Sequence, residues 1–185
     1  MINLFIICLI AYLAGSVNFA IIYFKITGRK DPRQIFSGNA GTTNVYRQAG
    51  IIRAAFIFIL DIGRAIAVAF LAIHYLTVSL APWAGFFLVL GNSFPCFHHF
   101  RGGKGVANYL GFTAVIFPLG ALAAALVWVI VYAIARIPFV SSFFMVALLS
   151  LSVGYQAFSA GAVAAVLVTF ALIVFNHRKN IAKYI

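Results

Sequence analysis

The sequence predicts an all-α integral membrane protein with about seven transmembrane helices. Of its 185 residues, 65% are hydrophobic and 8% are charged, whereas a soluble domain carries about 25% charged residues. The mean hydropathy is +1.10, and apolar stretches long enough to cross a bilayer alternate with short basic loops. So few charges cannot cover a water-exposed surface of this size, and we therefore expect lipid to be the solvent for most of it.

Proline, glycine and charged residues divide the apolar sequence into spans. The first stretch has no basic region before it and is long enough to cross, so it is predicted as a span rather than a cleaved signal peptide. The long apolar segment 106–153 is interrupted at Pro118 and again at Arg136–Pro138. The predicted spans are residues 2–24, 51–76, 80–97, 106–117, 119–135, 138–153 and 155–175. A five-span arrangement, with 106–135 as one helix and 137–153 not crossing, has the same sidedness.

The distribution of positive charge predicts the orientation. The net charge of +11, from 13 lysines and arginines against 2 acidic residues, would by itself fit either nucleic acid or an anionic membrane as partner. The basic residues lie between apolar spans, so we expect membrane lipid and no nucleic acid. With seven spans, one side holds the basic loops and the tail 176–185, and Arg64 is left within a span. The positive-inside rule makes that side cytoplasmic and the N-terminus external.

The first cytoplasmic loop contains a pattern typical of phosphate binding. It reads SGNAGTTN over residues 37–44, and Arg47 follows. Glycine beside Ser, Thr and Asn lets successive backbone N–H groups point into one concavity, where an oxyanion binds. The positive-inside rule alone accounts for Lys25, Arg29 and Lys30, but not for this run. The predicted phosphate-binding residues are Ser37, Gly38, Asn39, Gly41, Asn44 and Arg47.

A second polar segment, RGGKG at residues 101–105, repeats this chemistry. Its glycines permit close backbone approach, an arginine grips an anion bidentately, and a lysine acts as a point charge. We add Arg101, Gly102, Gly103 and Lys104 to the predicted phosphate-binding residues. The spacing is not that of a Walker A motif, so nucleotide hydrolysis is not expected. As metal ligands, the adjacent His98 and His99 would need carboxylate or cysteine company, and the chain has no Glu and only two Asp, so we expect no metal.

Two further polar pairs have helical spacing. Asp61 and Arg64 lie three residues apart in the second span, where they share a helix face and can pair. Such a pair either fixes helix packing or supports the cytoplasmic site from behind. His177 and Asn180 in the tail have the same spacing. We find neither a Ser-His-Asp set nor a Cys-His pair, so the sequence does not require a covalent acyl-enzyme.

Taken together, these motifs resemble the bacterial acyl-phosphate:glycerol-3-phosphate acyltransferase family. The resemblance covers nearly the whole chain, and the His-x4-Asp box of acyl-CoA-dependent acyltransferases does not occur. In chain order it is carried by GS at 15–16, SGNAGTTNVYR at 37–47, Asp61, GNSFPCFHHFRGGKGVA at 91–107, Ser141 and HRKNI at 177–181.

The resemblance implies one transmembrane acyltransferase domain over residues 1–185, in the plasma (inner) membrane, without a cofactor; we expect a monomer. Its activity would be transfer of a fatty acyl group from acyl phosphate to the 1-hydroxyl of glycerol 3-phosphate, giving lysophosphatidic acid. The family's catalytic residues map onto Lys104, Ser141, His177 and Asn180. Either His177 or the substrate phosphate would take the proton. Two alternatives remain: a transporter of a phosphorylated or other anionic solute, and an inactive lipid-binding paralogue.

Five positions depart from the family's usual pattern, one of which is Ala65, where glycine is usual after the lysine of the second span. Phe36 stands where glycine is usual, Asn92 where histidine is usual, and Arg64 where lysine is usual. The proline that normally follows Gly-Ser in the first span is Asn18. We therefore expect a divergent member, in which these changes can alter the acceptor.

Overall fold

The computed structural model describes residues 2–182, so that Lys183 of the basic tail lies outside the described residues. All regular secondary structure within this range is helical, which confirms the predicted all-α class. Two short 3-10 turns cover Pro32–Gln34 and Cys96–His98. The α-helices are α1 (Ile2–Ser16), α2 (Phe19–Ile26), α3 (Thr42–Ala49), α4 (Ile51–Tyr75), α5 (Ala81–Ser93), α6 (Val106–Ile116), α7 (Pro118–Ala135), α8 (Pro138–Ala157), α9 (Ala160–Asn176) and α10 (Arg178–Ile181).

Each predicted span contains helix, but the details differ in four places. Helix α8 continues past the predicted break at residue 154 to Ala157, so that α9 begins only at Ala160. The first span is broken between α1 and α2, where the Asn18 side chain accepts a hydrogen bond from Ile21 N at 3.1 Å and caps the new helix. The predicted span 80–97 ends earlier, at Ser93, because the chain then enters an irregular loop. Helix α3 forms inside the segment that was predicted as a polar loop.

The outer surface of the bundle is apolar. The continuous segment Ile2–Ile26 and helices α4, α7 and α8 are long and apolar enough to cross a membrane, while α6 and α9 are apolar but shorter. Large hydrophobic side chains are exposed around the bundle, among them Phe5, Ile52, Leu119, Ile134 and Leu151. Such a surface is stable in lipid rather than in water, in agreement with the predicted integral membrane protein.

Small residues allow the central helices to pack closely. A Cβ atom at Gly15 of α1 would collide with the carbonyl oxygen of Leu88 on α5. A Cβ atom at Gly91 of α5 would likewise collide with the carbonyl oxygen of Tyr12 on α1. Gly111 of α6 packs against α4 in the same way, because its Cβ would lie 2.9 Å from Ile62 O. These close crossings are typical of membrane helices. They bring the helix ends that carry the polar motifs together at one end of the bundle.

Candidate active site

A cavity of about 910 Å³ opens where the predicted polar motifs meet. Its wall is built from the loop before α3, the loop before α6, the start of α8, and the turn between α9 and α10. The structure therefore joins segments that are far apart in the sequence. Among the predicted site residues, those that line it are Ser37, Gly38, Asn39, Gly41, Asn44, Arg47, Asp61, Gly103, Lys104, His177 and Asn180.

The loop before α3 is shaped from within by Asn44. Its buried side-chain amide donates to the carbonyls of Pro32 at 2.7 Å and Asn39 at 2.9 Å, and its Oδ1 accepts from Ser37 N at 3.4 Å. The Asn44 side chain thus holds the loop in shape. The loop ends at Gly41, the N-cap of α3, which has no side-chain cap. This leaves the positive end of the helix dipole facing the cavity, where it favours an anion.

The loop before α6 is fastened to the end of α5. Gly102 N donates to Ser93 O at 3.1 Å, and Gly103 N donates to Asn92 O at 2.8 Å. These two amides, which we expected to contact an anion, instead donate to carbonyls at the C-terminus of α5. Gly103 is needed for space: a Cβ there would lie 2.6 Å from Nδ2 of Asn92. The tight loop places Lys104 at the cavity.

Lys104 provides the partly buried cation of the site. Its Nζ donates to Asn180 Oδ1. Burial, and to a smaller extent the nearby charge of Arg47, lowers the pKa of Lys104 from 10.5 to about 8. The amine is therefore largely protonated at neutral pH. A bound anion beside it would stabilise this partly buried positive charge.

His177 is buried as a neutral imidazole. Burial and the charge of Lys104 lower the pKa of His177 from 6.5 to about 4, although the hydrogen bond to Ile173 O opposes this. Because a carbonyl oxygen only accepts, Nδ1 at 2.8 Å from Ile173 O must carry the proton. Nε2 is then unprotonated, and it is the ring nitrogen able to accept a hydrogen bond from a bound hydroxyl.

Arg64 lies behind the cavity wall and connects several polar groups. The predicted pair forms, with Arg64 Nη2 at 2.9 Å from Asp61 Oδ1. The same nitrogen donates to Asn108 Oδ1 at 2.7 Å, and Nη1 donates to the carbonyl oxygen of Val17. Asp61 and Asn108 line the cavity, so that Arg64 fixes two of its polar wall residues.

Three predicted residues do not reach the cavity. Ser141 is fully buried, and its hydroxyl donates to Ile137 O at 3.2 Å. Ser142 lines the cavity instead, because neighbouring residues of a helix point in directions about 100° apart. Arg101 is exposed on the outer side of its loop, and Gly102 packs against Asn92 O, away from the cavity.

Several cavity residues were not predicted from the sequence, namely Thr42, Asn92, Asn108, Trp128 and Ser142. Asn108 and Ser142 are polar residues within apolar spans, which is a signal for an interior role in a membrane protein. Trp128 Nε1 donates to Ser142 Oγ at 3.2 Å, across from α7 to α8. No comparable sequence signal distinguishes Trp128 from a lipid-facing aromatic residue.

Comparison with known proteins identifies the family. A family model for glycerol-3-phosphate acyltransferase matches residues 5–185. Proteins of that name from Jannaschia sp. (strain CCS1) and Azotobacter vinelandii are 40% and 36% identical, each over 95% of this chain and over 86% and 92% of their own lengths. The chain belongs to the glycerol-3-phosphate acyltransferase family. This confirms the predicted family and enzyme class, and it disfavours the transporter and the inactive paralogue.

Solved structures of the glycerol-3-phosphate acyltransferase family agree with the fold. The crystal structure of PlsY (YgiH), an integral membrane glycerol 3-phosphate acyltransferase, in its glycerol 3-phosphate form superposes with a TM-score of 0.91 at 31% identity. The match covers 98% of this chain and 91% of that one. The lysophosphatidic acid form of PlsY superposes with a TM-score of 0.87.

The departures from the usual pattern of this acyltransferase family have structural explanations. Phe36 has φ of 54°, in the left-handed region where glycine is favoured, which explains why glycine is usual there. Two other departures touch each other, since Arg64 Nη2 lies 3.4 Å from Asn92 Oδ1. Arg64 also binds the carbonyl immediately before Asn18. These three replacements thus form one connected group, in which Asn92 lines the cavity and Arg64 lies behind its wall.

Proposed function

We propose that this acyltransferase moves a fatty acyl group from acyl phosphate to the 1-hydroxyl of glycerol 3-phosphate, giving lysophosphatidic acid. The observation that carries the proposal is one cavity lined by Arg47 of α3 and by Lys104 of the loop before α6, with a neutral His177 beside them. Both substrates carry phosphate, so the reaction needs two anion sites. The segment with Arg47 supports one of them, and the segment with Lys104 supports the other.

The proposed reaction needs positioning and charge stabilisation more than a covalent intermediate. The acceptor hydroxyl oxygen attacks the carbonyl carbon of the acyl phosphate, a C–O bond forms, and the bond between that carbon and the phosphate oxygen breaks. Phosphate leaves with the electron pair, so negative charge grows on it as the reaction proceeds. Lys104 stabilises that charge, and Asn180 keeps the ammonium of Lys104 oriented.

The proton of the attacking hydroxyl goes to a substrate phosphate in this proposal. A phosphate monoester has a second pKa of about 6, whereas burial holds the pKa of His177 at about 4. The phosphate is therefore the stronger base. His177 accepts a hydrogen bond at Nε2 and orients the hydroxyl, while Ser142 rather than the predicted Ser141 lines the cavity, with its own hydroxyl donating to Pro138 O at 2.9 Å.

The apolar part of the cavity fits the acyl chain. Its wall there consists of side chains from α4, α6, α7 and α8, including Phe58, Leu110, Ala125, Val129 and Met145. These helices lie within the predicted membrane-spanning region, so that an acyl chain can enter from the bilayer while its phosphate stays at the polar end. The proposed enzyme acts as a monomeric single domain and uses no cofactor.

We propose seven spans, with the cavity at the cytoplasmic face of the plasma membrane and the N-terminus outside. The charge distribution supports this, because exposed basic residues surround the loops at the cavity end. In a variant with Cys8 and Cys96 replaced, a membrane-impermeant thiol reagent should label Val78→Cys from outside and leave Lys30→Cys unlabelled. Labelling of Lys30→Cys in intact cells would overturn the orientation.

An assay with labelled glycerol 3-phosphate tests the reaction itself. Purified protein should form lysophosphatidic acid with acyl phosphate and none with acyl-CoA, as read by thin-layer chromatography. Product from acyl-CoA alone would overturn the proposed donor. Absence of product from both donors, with an intact protein, would overturn the proposed function.

A further inference from the structure

The two cations of the proposed anion sites come from different parts of the chain. Arg47 lies on α3, and Lys104 lies between α5 and α6. A reaction between two bound substrates requires these cations to keep a fixed separation, because a misplacement of about 1 Å can cost about 10²-fold in rate. The backbone hydrogen bond from Ala40 N to Gly102 O, at 3.3 Å, is a long and weak connection between the loops.

Arg33 makes a stronger connection. Its Nη1 donates to the carbonyl oxygens of His98 and Arg101, both at 2.8 Å. Its Nε donates to the two carboxylate oxygens of Asp31 at 2.9 and 3.1 Å. The Arg33 side chain is 19% exposed, and it does not line the cavity. The planar guanidinium uses several donors at once, which a lysine cannot do.

The other end of this connection is fixed to α3. The 3-10 turn that carries Arg33 begins at Pro32, which is buried. The carbonyl oxygen of Pro32 accepts hydrogen bonds from Asn44 Nδ2 at 2.7 Å and Gln48 Nε2 at 3.0 Å. Both donors lie on α3, the helix that carries Arg47. Arg33 and Arg47 are therefore attached to the same rigid unit.

The segment that Arg33 grips has an unfavourable backbone conformation. His99 and Phe100 both have φ of 55°, in the left-handed region that L-residues avoid. Such residues persist only when their surroundings hold them in place. The carbonyls bound by Arg33 belong to the residues immediately before and after this pair. Arg33 thus stabilises a strained turn that leads, within a few residues, to Lys104.

We propose that Arg33 is a positioning residue that fastens the loop carrying Lys104 to the helix carrying Arg47, and so sets the affinity for glycerol 3-phosphate. The inference rests on the proposed function, since it assumes that both cations act on phosphorylated substrates. Asp31 assists by fixing the guanidinium in the orientation that reaches both carbonyls.

The test compares Arg33→Gln, Arg33→Lys and Asp31→Asn with a matched control, Arg29→Gln, which removes one charge from an exposed residue of the same loop. Initial rates are measured with saturating acyl phosphate and varied glycerol 3-phosphate. Both Arg33 variants should raise KM for glycerol 3-phosphate about tenfold and also lower kcat, because Lys104 then shifts relative to the departing phosphate, and Asp31→Asn should raise KM by a smaller factor. Arg29→Gln should stay within about twofold of the wild type.

The rise in KM distinguishes positioning from general stability. Loss of folded protein lowers the apparent kcat but leaves KM unchanged. A wild-type KM in Arg33→Lys would show that charge alone is needed, and an equal KM shift in Arg33→Gln and Arg29→Gln would show only electrostatic steering; either result overturns the proposal. If the wild type itself forms no product, the proposed function fails, and calorimetric titration of the same variants with glycerol 3-phosphate then tests the positioning role separately.

Discussion

Lys104 donates a hydrogen bond through Nζ to Oδ1 of Asn180, which joins the glycine-rich loop to α10 across 76 residues of sequence. The amide oxygen orients the ammonium group without neutralising it, so the positive charge remains available to a ligand. The contact also ties the C-terminal turn, with His177, to the loop that is fastened to α5. A single side chain thus connects two of the motifs that the sequence shows as separate.

Replacing Lys104 with alanine should remove the charge that faces the departing phosphate. We expect kcat to fall about 10²-fold or more, the scale for losing one preorganised group at a developing anion. Asn180→Ala keeps the charge of Lys104 but no longer orients its ammonium group, so kcat should fall by a smaller factor. Lys30→Ala, at an exposed position in the first loop, serves as the control. Near-normal turnover in a folded Lys104→Ala protein would show that the loop is only a basic turn.

The pH dependence of the enzyme should reveal the lowered pKa of Lys104, about 8. Only the protonated lysine stabilises the anion, so kcat/KM should fall as the pH rises through about 8. Arg47→Gln removes a charge that lowers this pKa, and the inflection should move to higher pH even though the rate is reduced. Lys104→Arg should lose the inflection altogether. Full pH–rate profiles of the three proteins check this, and an unchanged inflection in Lys104→Arg would assign it to another group.

The Asp61–Arg64 pair should show strong energetic coupling. Removing one partner of a buried ion pair costs about 3–5 kcal/mol, and removing both costs less than the sum. Arg64→Met should be the worse single change, because it also leaves Asn108 Oδ1 and the carbonyl of Val17 without this donor. A double-mutant cycle of unfolding free energies in detergent measures the coupling, with Arg53→Met at the start of the same helix as control. Additive losses would mean that the two charges do not interact.

Gly103 should tolerate no side chain. A Cβ would lie 2.6 Å from Asn92 Nδ2 and 3.3 Å from Ala40 O, so Gly103→Ala must displace either the loop or the Asn92 side chain, whose Oδ1 Arg64 contacts at 3.4 Å. We expect activity to fall about 10²-fold, the cost of misplacing a catalytic group by about 1 Å. Gly63→Ala is the matched control, since a Cβ there meets nothing within 4 Å. Equal activities of the two variants would show that the loop is free to adjust.

Phe36→Gly should stabilise the protein. A left-handed conformation costs an L-residue about 1–2 kcal/mol, which exceeds the entropy cost of glycine, about 0.5–1 kcal/mol. The Phe36 ring is 63% exposed, so little burial is lost. Phe97 is similarly exposed and is not among the residues with positive φ, so Phe97→Gly should not stabilise. The denaturant midpoints of both variants in detergent are compared with that of the wild type. A midpoint below the wild type for Phe36→Gly would contradict backbone strain at Phe36.

Local sequence patterns predicted the parts of the site that depend on neighbouring residues. Asp61 and Arg64 pair because residues three apart share a helix face, whatever the rest of the fold does. The resemblance indicated Ser141, whereas Ser142 lines the cavity, because one residue on a helix changes the direction of a side chain by about 100°. The backbone amides of Gly102 and Gly103, which the glycine-rich pattern placed near an anion, donate instead to carbonyls of α5.

The sequence by itself determined that the protein is helical, that lipid surrounds it, and which loops hold its polar motifs, because composition and the spacing of apolar residues reflect the solvent directly. It also determined the family, since several motifs occur in the right order. Only the tertiary structure decided which groups meet. Lys104 with Asn180, and Arg33 with His98, lie 76 and 65 residues apart, and such contacts depend on close helix crossings at Gly15, Gly91 and Gly111, whose geometry no local pattern specifies.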